Sequence, residues 1–320
     1  MPNDDYTLKG LYEFWVVKAC SIISITSNIL LIIIYFFKKK WTLSMYVNFN
    51  VCISAIIFSI SGLFPIITSQ DNNRILCDTQ VLFGGFGDPS ILLWTATISV
   101  IGMLSYKYQD IIKDKIVKIC SFGICYGIPL IFDFLFYTIG EIKVMSPNYY
   151  CWISNHSVKL FYSIFIVIIF IINIIANVIL LVEVKSIKST INDNDLVIKK
   201  LNKFSCILWN YIIALIIMYL NNIIHKVYYF NNEGKELPII IDVSLQGLNF
   251  LKGFIIYVCY TFNEETISDT KKLFTCSLEK ESDVLEENLN PTNEEYEKNY
   301  YNAIDFFDDP FNDSTIEIPV

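Results

Sequence analysis

The chain has 320 residues, of which 54% are hydrophobic, and its mean hydropathy of +0.47 is higher than the polar surface of a soluble domain allows. The net charge of -8 comes from the end of the chain, because residues 262–320 hold 16 acidic and 4 basic side chains. This distribution lacks the basic stripe that a nucleic-acid site needs, so it excludes nucleic acid as a partner and indicates a mildly basic membrane body with an acidic tail.

Seven apolar runs follow one another along the chain, and each is long enough to cross the ~30 Å hydrocarbon core of a bilayer as a helix. Backbone polar groups in lipid must bond within their own segment, so these runs predict helices. The predicted fold class is therefore all-α: an integral membrane bundle of seven transmembrane helices that occupies residues 14–262. The runs cover residues 14–37, 43–68, 79–105, 116–140, 158–184, 204–230 and 238–262.

The lysines between the runs set the predicted orientation. One side of the membrane receives 14 lysines from the connecting segments, whereas the opposite side receives five cations. The positive-inside rule therefore places residues 1–13 outside the cell and the C-terminus in the cytosol, with the first helix acting as the signal anchor. An odd number of spans agrees with this orientation.

The chain after the last span carries two further predictions. Residues 263–276 are expected to form a helix parallel to the membrane, with Cys276 placed for palmitoylation. Residues 277–320 are rich in Glu, Asp and Asn and are expected to form an acidic, disordered cytosolic tail. Phosphorylation of the Ser and Thr residues that follow the last span, from Thr266 to Thr315, by a receptor kinase would recruit an arrestin-like partner.

The nine cysteines lie mostly inside apolar runs and lack the CxxC or Cys/His spacing of metal sites, so neither a metal nor another cofactor is expected. Only Cys77 and Cys151 fall at the outer face, which is oxidising. A disulfide between them would tie the outer end of the third helix to the second outer loop, and two free thiols are the alternative. Beside this loop, Asn155-His156-Ser157 matches a glycosylation sequon with Asn155 as acceptor.

Ionisable side chains inside membrane spans are costly and usually face the bundle interior, so each is a functional candidate. Lys252 lies near the middle of the seventh span and needs a carboxylate, which Asp88 on the third span is placed to supply. The pair is either a link that holds the inactive state, with which an anionic ligand competes, or a static buried pair. Lys18 and Asp242, near the outer face, are placed to line a pocket. His225 is either a hydrogen-bonded core residue or a ligand contact.

Other polar residues in the spans have structural interpretations. Glu183 and Lys226 lie near helix ends and are expected to extend to the interface. Asn173 and Asn177 are four residues apart on the fifth span, so they share a face and are expected to bond across helices. Asp133, on the fourth span, is a further intramembrane acid.

Short motifs occur across the spans in an order that resembles a known family. They are Leu93-Trp94-Thr95 in the third span, Cys125-Tyr126-Gly127-Ile128-Pro129-Leu130-Ile131 in the fourth, Tyr150-Cys151-Trp152-Ile153 in the loop, Asn210-Tyr211-Ile212-Ile213 in the sixth and Lys252-Gly253-Phe254 in the seventh. Together they look like the slime-mould cyclic AMP receptors and their receptor-like relatives, which are distantly similar to the secretin-type receptors that also have a Cys-Trp pair in this loop. The resemblance covers most of residues 77–262. It implies a G-protein-coupled receptor of the plasma membrane that senses cyclic AMP or a related chemoattractant.

Two other protein classes share part of this pattern. Gly85-Phe86-Gly87-Asp88 matches the GxGD string of intramembrane aspartyl proteases, but the second aspartate that this chemistry needs is missing from the preceding helix. A transporter or channel is the stronger alternative, because intramembrane Asp and Lys also mark ion pathways. That class favours inverted repeats or broken helices, and the segment from Gly84 to Pro89 is the one stretch of the sequence with paired Gly and Pro.

The sequence therefore predicts a receptor rather than an enzyme. An extracellular small molecule is expected to bind between helices three, five, six and seven and to drive nucleotide exchange on a heterotrimeric G-protein. Besides the ligand and the G-protein, membrane lipid is the expected partner. The candidate ligand-contacting residues are Asp88, Trp152, His225, Asp242 and Lys252.

Overall fold

A computed structural model describes most of the residues in the predicted membrane spans. It covers residues 4–37, 43–64, 74–107, 114–139, 142–145, 150–190, 209–219 and 238–261, together with residues 205, 224 and 228. His225, Lys226, Cys276 and both predicted segments of the tail, 263–276 and 277–320, lie outside the described residues.

The described part of the chain is helical apart from one short hairpin. The helices are α1 (Asp4–Phe36), α2 (Leu43–Ser61), α3 (Arg74–Lys107), α4 (Asp114–Ile139), α5 (His156–Thr190), α6 (Trp209–Tyr219), α7 (Ile239–Phe250) and α8 (Lys252–Thr261). Strands β1 (Ile142–Met145) and β2 (Tyr150–Ile153) pair antiparallel between α4 and α5, with Val144 opposite Cys151. The all-α prediction missed this hairpin because each strand has only four residues. Both strands lie in the connection between two apolar runs, where hydropathy predicts no secondary structure.

Four of the helices are long and apolar enough to cross a membrane: Phe14–Phe36, Ile75–Ile101, Lys115–Ile139 and His156–Ser186. Helices α7 and α8 add a fifth if they count as one span bent by 54°. Two shorter apolar helices, Met45–Ser61 and Trp209–Tyr219, fall in the second and sixth predicted spans. The described residues therefore form a membrane-embedded helical protein with four to five candidate spans, and the complete set of seven stays a prediction.

Helix α3 lies at the centre of the bundle. In the other long candidate spans, 28–33% of the most apolar stretch is buried inside the protein. In α3 this share is 78%. α3 packs against α2, α4, α5 and both strands, whereas α1 packs against α2, α7 and α8. Because α3 is enclosed by protein rather than lipid, its polar side chains can find protein partners.

The core of the bundle is built on Trp94 of α3, which is fully buried. Its ring makes edge contacts with Tyr46 of α2 and Tyr126 of α4. The Tyr126 hydroxyl donates a hydrogen bond of 3.0 Å to Asn50 Oδ1 on α2. The aromatic residues of the motifs in the third and fourth spans thus join α2, α3 and α4 to one another.

The predicted bonding of the fifth-span asparagines across helices is confirmed. Asn173 Nδ2 donates to Thr95 Oγ1 at 3.1 Å, and Ser99 Oγ donates to Asn173 Oδ1 at 3.0 Å. Asn177 Nδ2 donates to Ser99 Oγ at 2.8 Å. This buried ladder joins α5 to α3 where neither partner would find water in a bilayer.

The predicted seventh span is broken at Leu251, between α7 and α8. The Leu251 N–H contacts the carbonyls of both Gly247 and Leu248, at 3.0 and 3.2 Å, so the last turn of α7 tightens before the chain changes direction. Pro89 and Pro129 lie inside the continuous helices α3 and α4. The break between α7 and α8 contains no proline, since none of the described residues from Ile239 to Thr261 is proline.

Two glycines allow neighbouring helices to approach closely, one between α8 and α1 and one between α3 and α2. A Cβ on Gly253 would overlap the side chains of Ser24 and Asn28 on α1. A Cβ on Gly87 would lie 2.6 Å from the backbone of Phe58 on α2. Small residues at such crossings let membrane helices pack backbone to backbone, which brings α3 and α8 toward the same interior space.

Candidate functional site

The centre of the candidate site is an ion pair between α3 and α8. Lys252 Nζ lies 2.5 Å from Asp88 Oδ1, which confirms the pairing predicted from the sequence. Lys252 has no exposed surface, and Asp88 is 7% exposed. A lone ammonium in this position would carry the full cost of leaving water, so each charge depends on the other.

Aromatic side chains from three further helices surround the pair. The Lys252 ammonium lies 5.0 Å from the ring centre of Phe58 on α2 and 4.6 Å from that of Tyr219 on α6. The Tyr162 hydroxyl on α5 points to Asp88 Oδ2 at a long 3.5 Å. The pair is therefore where α2, α3, α5, α6 and α8 meet, and the rings supply attraction to the cation without adding charge.

The pair lies deep within the bundle. Asp88 is eleven residues after Cys77, which is about 16 Å along a helix that rises 1.5 Å per residue. The hydrocarbon core of a bilayer is ~30 Å thick, so this depth corresponds to its middle when Cys77 lies at one face. We refer to the side of the bundle that holds Cys77 and strands β1 and β2 as the hairpin end.

The hairpin end is fastened to α3 at two points. Cys77 and Cys151 form a disulfide with a Cα–Cα distance of 5.3 Å, as predicted from their location. One turn further along α3, Gln80 Oε1 accepts a hydrogen bond of 2.7 Å from the Cys151 N–H, and Gln80 Nε2 donates to the Ser61 carbonyl. Gln80 was not predicted as a site residue, although its place one turn after Cys77 put it on the same face of α3.

The structure describes the positions of three further residues that were predicted to contact the ligand or to line a pocket. Asp242 is buried on α7, ten residues before Lys252 and across the break at Leu251. Trp152 lies on β2 opposite Lys143, although its side chain is outside the described residues. Lys18 Nζ lies 4.0 Å from the ring centre of Phe14, one turn earlier on α1.

Asn155, the predicted glycosylation acceptor, caps helix α5. Its Oδ1 accepts hydrogen bonds from the N–H groups of Ser157 and Val158 at 3.1 and 3.3 Å. Its Nδ2, the atom that a glycan would occupy, donates to the Ile139 carbonyl at 3.3 Å. An N-cap of this kind stabilises a helix by ~1 kcal/mol, so the side chain already has a structural role that opposes glycan attachment.

Within the described ranges, no group of three or more His, Cys, Asp or Glu side chains is arranged to hold a metal ion. No known protein-family model and no curated protein sequence matches this chain. The resemblance to the slime-mould receptors therefore rests on the residues themselves, and the function must be argued from the site.

Proposed function

We propose that the chain is a seven-span G-protein-coupled receptor of the plasma membrane, with its hairpin end outside the cell and its acidic tail in the cytosol. The observation that carries this proposal is the buried Asp88–Lys252 pair. It joins α3 to α8 at mid-bundle depth, beneath a hairpin that is covalently tied to α3. This arrangement suits a ligand that enters at the hairpin end and changes the contacts of one intramembrane link.

The proposed mechanism is a two-state equilibrium. In the described state Asp88 holds the Lys252 ammonium, and this side-chain contact links α8 to α3. An anionic group of a ligand would bind the same ammonium and release Asp88, so it would favour a state in which the two helices separate. A ligand shifts such an equilibrium only by the difference in its affinity for the two states. The separated inner ends would then bind the G-protein and promote nucleotide exchange.

G-protein dissociation in cells that express the protein tests this proposal directly. Cells are challenged with cyclic AMP, related cyclic nucleotides and folate, and surface expression is measured in parallel. A response in the wild type that is lost in Cys77→Ser supports a receptor with a hairpin-covered pocket. No response to any of these ligands, and no change of basal signalling in Lys252→Met at equal surface expression, would contradict the proposal.

A transporter is the second candidate, and one structural observation favours it. Transporters often bind substrates near the midplane at discontinuous helices, and the 54° break at Leu251 directly precedes the buried Lys252. Flux measurements in proteoliposomes separate the two functions. Ligand-dependent flux without nucleotide exchange on a G-protein would favour the transporter, whereas nucleotide exchange without flux would favour the receptor.

A further inference from the structure

The hydroxyl group of Tyr219, the last described residue of α6, has no hydrogen-bond partner within the part of the chain that the structure describes. Tyr219 is only 2% exposed, so bulk water does not supply the missing partner. A buried hydroxyl without a partner carries the cost of leaving water, and most buried polar groups in proteins avoid that cost. Phenylalanine would place the same ring here without it, so packing alone does not explain the tyrosine.

The ring of Tyr219, in contrast, has partners. Its centre lies 4.6 Å from Lys252 Nζ and 5.7 Å from the ring centre of Phe170 on α5. Phe58 faces the same ammonium from α2 at 5.0 Å, and it does so without a hydroxyl. Attraction of a cation to a ring face needs only the ring. The described contacts therefore use the ring of Tyr219 and leave its hydroxyl unused.

Asp88 is an acceptor close to this unused hydroxyl. The two groups interact electrostatically, although the described geometry forms no hydrogen bond between them. The Lys252 ammonium is bonded to Asp88 Oδ1 and lies against the Tyr219 ring, so its departure would leave space beside both groups. The same departure would leave the carboxylate without its cation. Its other oxygen then has only the long 3.5 Å contact from the Tyr162 hydroxyl.

We propose that Tyr219 is a positioning residue of the switch: when Lys252 leaves Asp88, the Tyr219 hydroxyl donates a hydrogen bond to the released carboxylate. Hydrogen bonds to a charged acceptor are stronger than those between neutral groups, so this bond stabilises the separated state. It forms no bond in the described state, so the hydroxyl favours one state over the other. The bond also links α6 to α3 after α8 has moved away. Its effect on signalling rests on the proposed receptor function, whereas its effect on stability does not.

A double-mutant cycle on the purified full-length protein tests this hydrogen bond. Lys252→Met removes the ammonium and thus imitates its departure. Tyr219→Phe should leave the melting temperature of the wild type unchanged or slightly raised, because the ring stays and only an unused hydroxyl is lost. In the Lys252→Met background the same change should lower the melting temperature by several degrees, because Asp88 loses a donor. If Lys252→Met does not fold, Lys252→Gln provides the background. Equal effects of Tyr219→Phe in the wild type and in the background that folds would overturn the proposal.

Two further variants serve as controls. Tyr137→Phe removes an exposed hydroxyl from α4 and should have the same small effect in both backgrounds. Tyr219→Leu removes the ring together with the hydroxyl, so it should destabilise the wild type even though Tyr219→Phe does not. A wild-type protein weakened as much by Tyr219→Phe as by Tyr219→Leu would show that the hydroxyl already has a partner, which also contradicts the proposal. The cycle needs neither a G-protein nor a ligand, so its outcome is independent of whether the chain signals.

Discussion

At the scale of single residues, the buried ion pair is an expensive way to join two helices. The desolvation of two charges offsets most of their attraction, and apolar residues of similar volume often stabilise a protein as well or better. Asp88 and Lys252 lie at the meeting point of five helices, where the proposed function gives them a switching role and a purely structural role is the alternative. Stability and signalling measurements can separate the two roles.

We predict that Lys252→Met alone destabilises the protein by about 3–5 kcal/mol, because it leaves the Asp88 carboxylate buried without its cation. The double variant Asp88→Asn with Lys252→Met should recover part of this loss, since neither charge remains. Basal G-protein dissociation should change in the single variant if the pair restrains the inactive state. Unaltered basal and ligand-driven output at normal surface expression would leave the pair as a static contact.

Glycine positions provide a second residue-scale prediction. Gly253→Ala should destabilise the protein by about 1–3 kcal/mol, because the new Cβ overlaps Ser24 and Asn28. Gly123→Ala on α4 is the matched control, because no atom lies within 4 Å of a Cβ at that position. The control should be neutral or slightly stabilising, as alanine is the better helix former. Melting temperatures in one detergent compare the two, and an equal loss in both would contradict the packing at Gly253.

The sequence identified both charges of the pair but not their aromatic neighbours. Intramembrane charges are few, so Asp88 was one of a small number of partners for Lys252. The chain holds 24 Phe and 20 Tyr residues, and nothing in their spacing distinguishes Phe58, Tyr162 or Tyr219 from the rest. Those contacts depend on how five helices cross, which is tertiary information.

At the scale of elements, the hairpin and α3 form one unit. The disulfide closes a loop of 74 residues, and Gln80 adds a hydrogen bond to the same strand. In the loop-entropy account, a cross-link of this length contributes on the order of 4 kcal/mol. The hairpin therefore depends on the redox state of Cys77 and Cys151.

We expect a reducing agent to lower the melting temperature of the purified wild-type protein by several degrees. The Cys77→Ser, Cys151→Ser double variant should already melt at the lower temperature and should not respond to the reductant. Cys125→Ser, which removes a buried free thiol of α4, serves as the control and should respond as the wild type does. A wild-type protein indifferent to reduction would refute a stabilising role for this disulfide.

The existence of most elements was predictable, but their ends and the break were not. Hydropathy located the long spans because an apolar run must become a helix in lipid. It could not show that α1 begins at Asp4, since the first turns of that helix are polar. It also predicted α7 and α8 as one span, because the residues around Leu251 are as apolar as the helices on either side.

At the scale of the whole molecule, the number of spans decides whether the two ends of the chain lie on the same side of the membrane. The described helices give four to five candidates by length and composition, and the two shorter helices, α2 and α6, lie where the sequence predicts two more. An even total would place both termini on one side of the membrane. The seven apolar runs predict an odd total, and the distribution of lysines predicts that the N-terminus lies outside.

Epitope tags on the two termini test the topology. An antibody should bind the N-terminal tag on intact cells, whereas a C-terminal tag should bind only after the plasma membrane is permeabilised. A soluble cytosolic protein carrying the same tag controls for leaky cells. Equal accessibility of both termini would contradict seven spans, whatever the function of the protein.

The enclosure of α3 also has a consequence for how the protein is made. Of the four long candidate spans α3 is the least hydrophobic, and it carries Asp88 near its middle, where an aspartate costs about 3 kcal/mol on membrane insertion. α5 is the most hydrophobic of the four and can leave the translocon for lipid unaided. α3 is therefore expected to wait beside the translocon until neighbouring helices emerge. Synthesis of α8, which carries Lys252, would complete its integration.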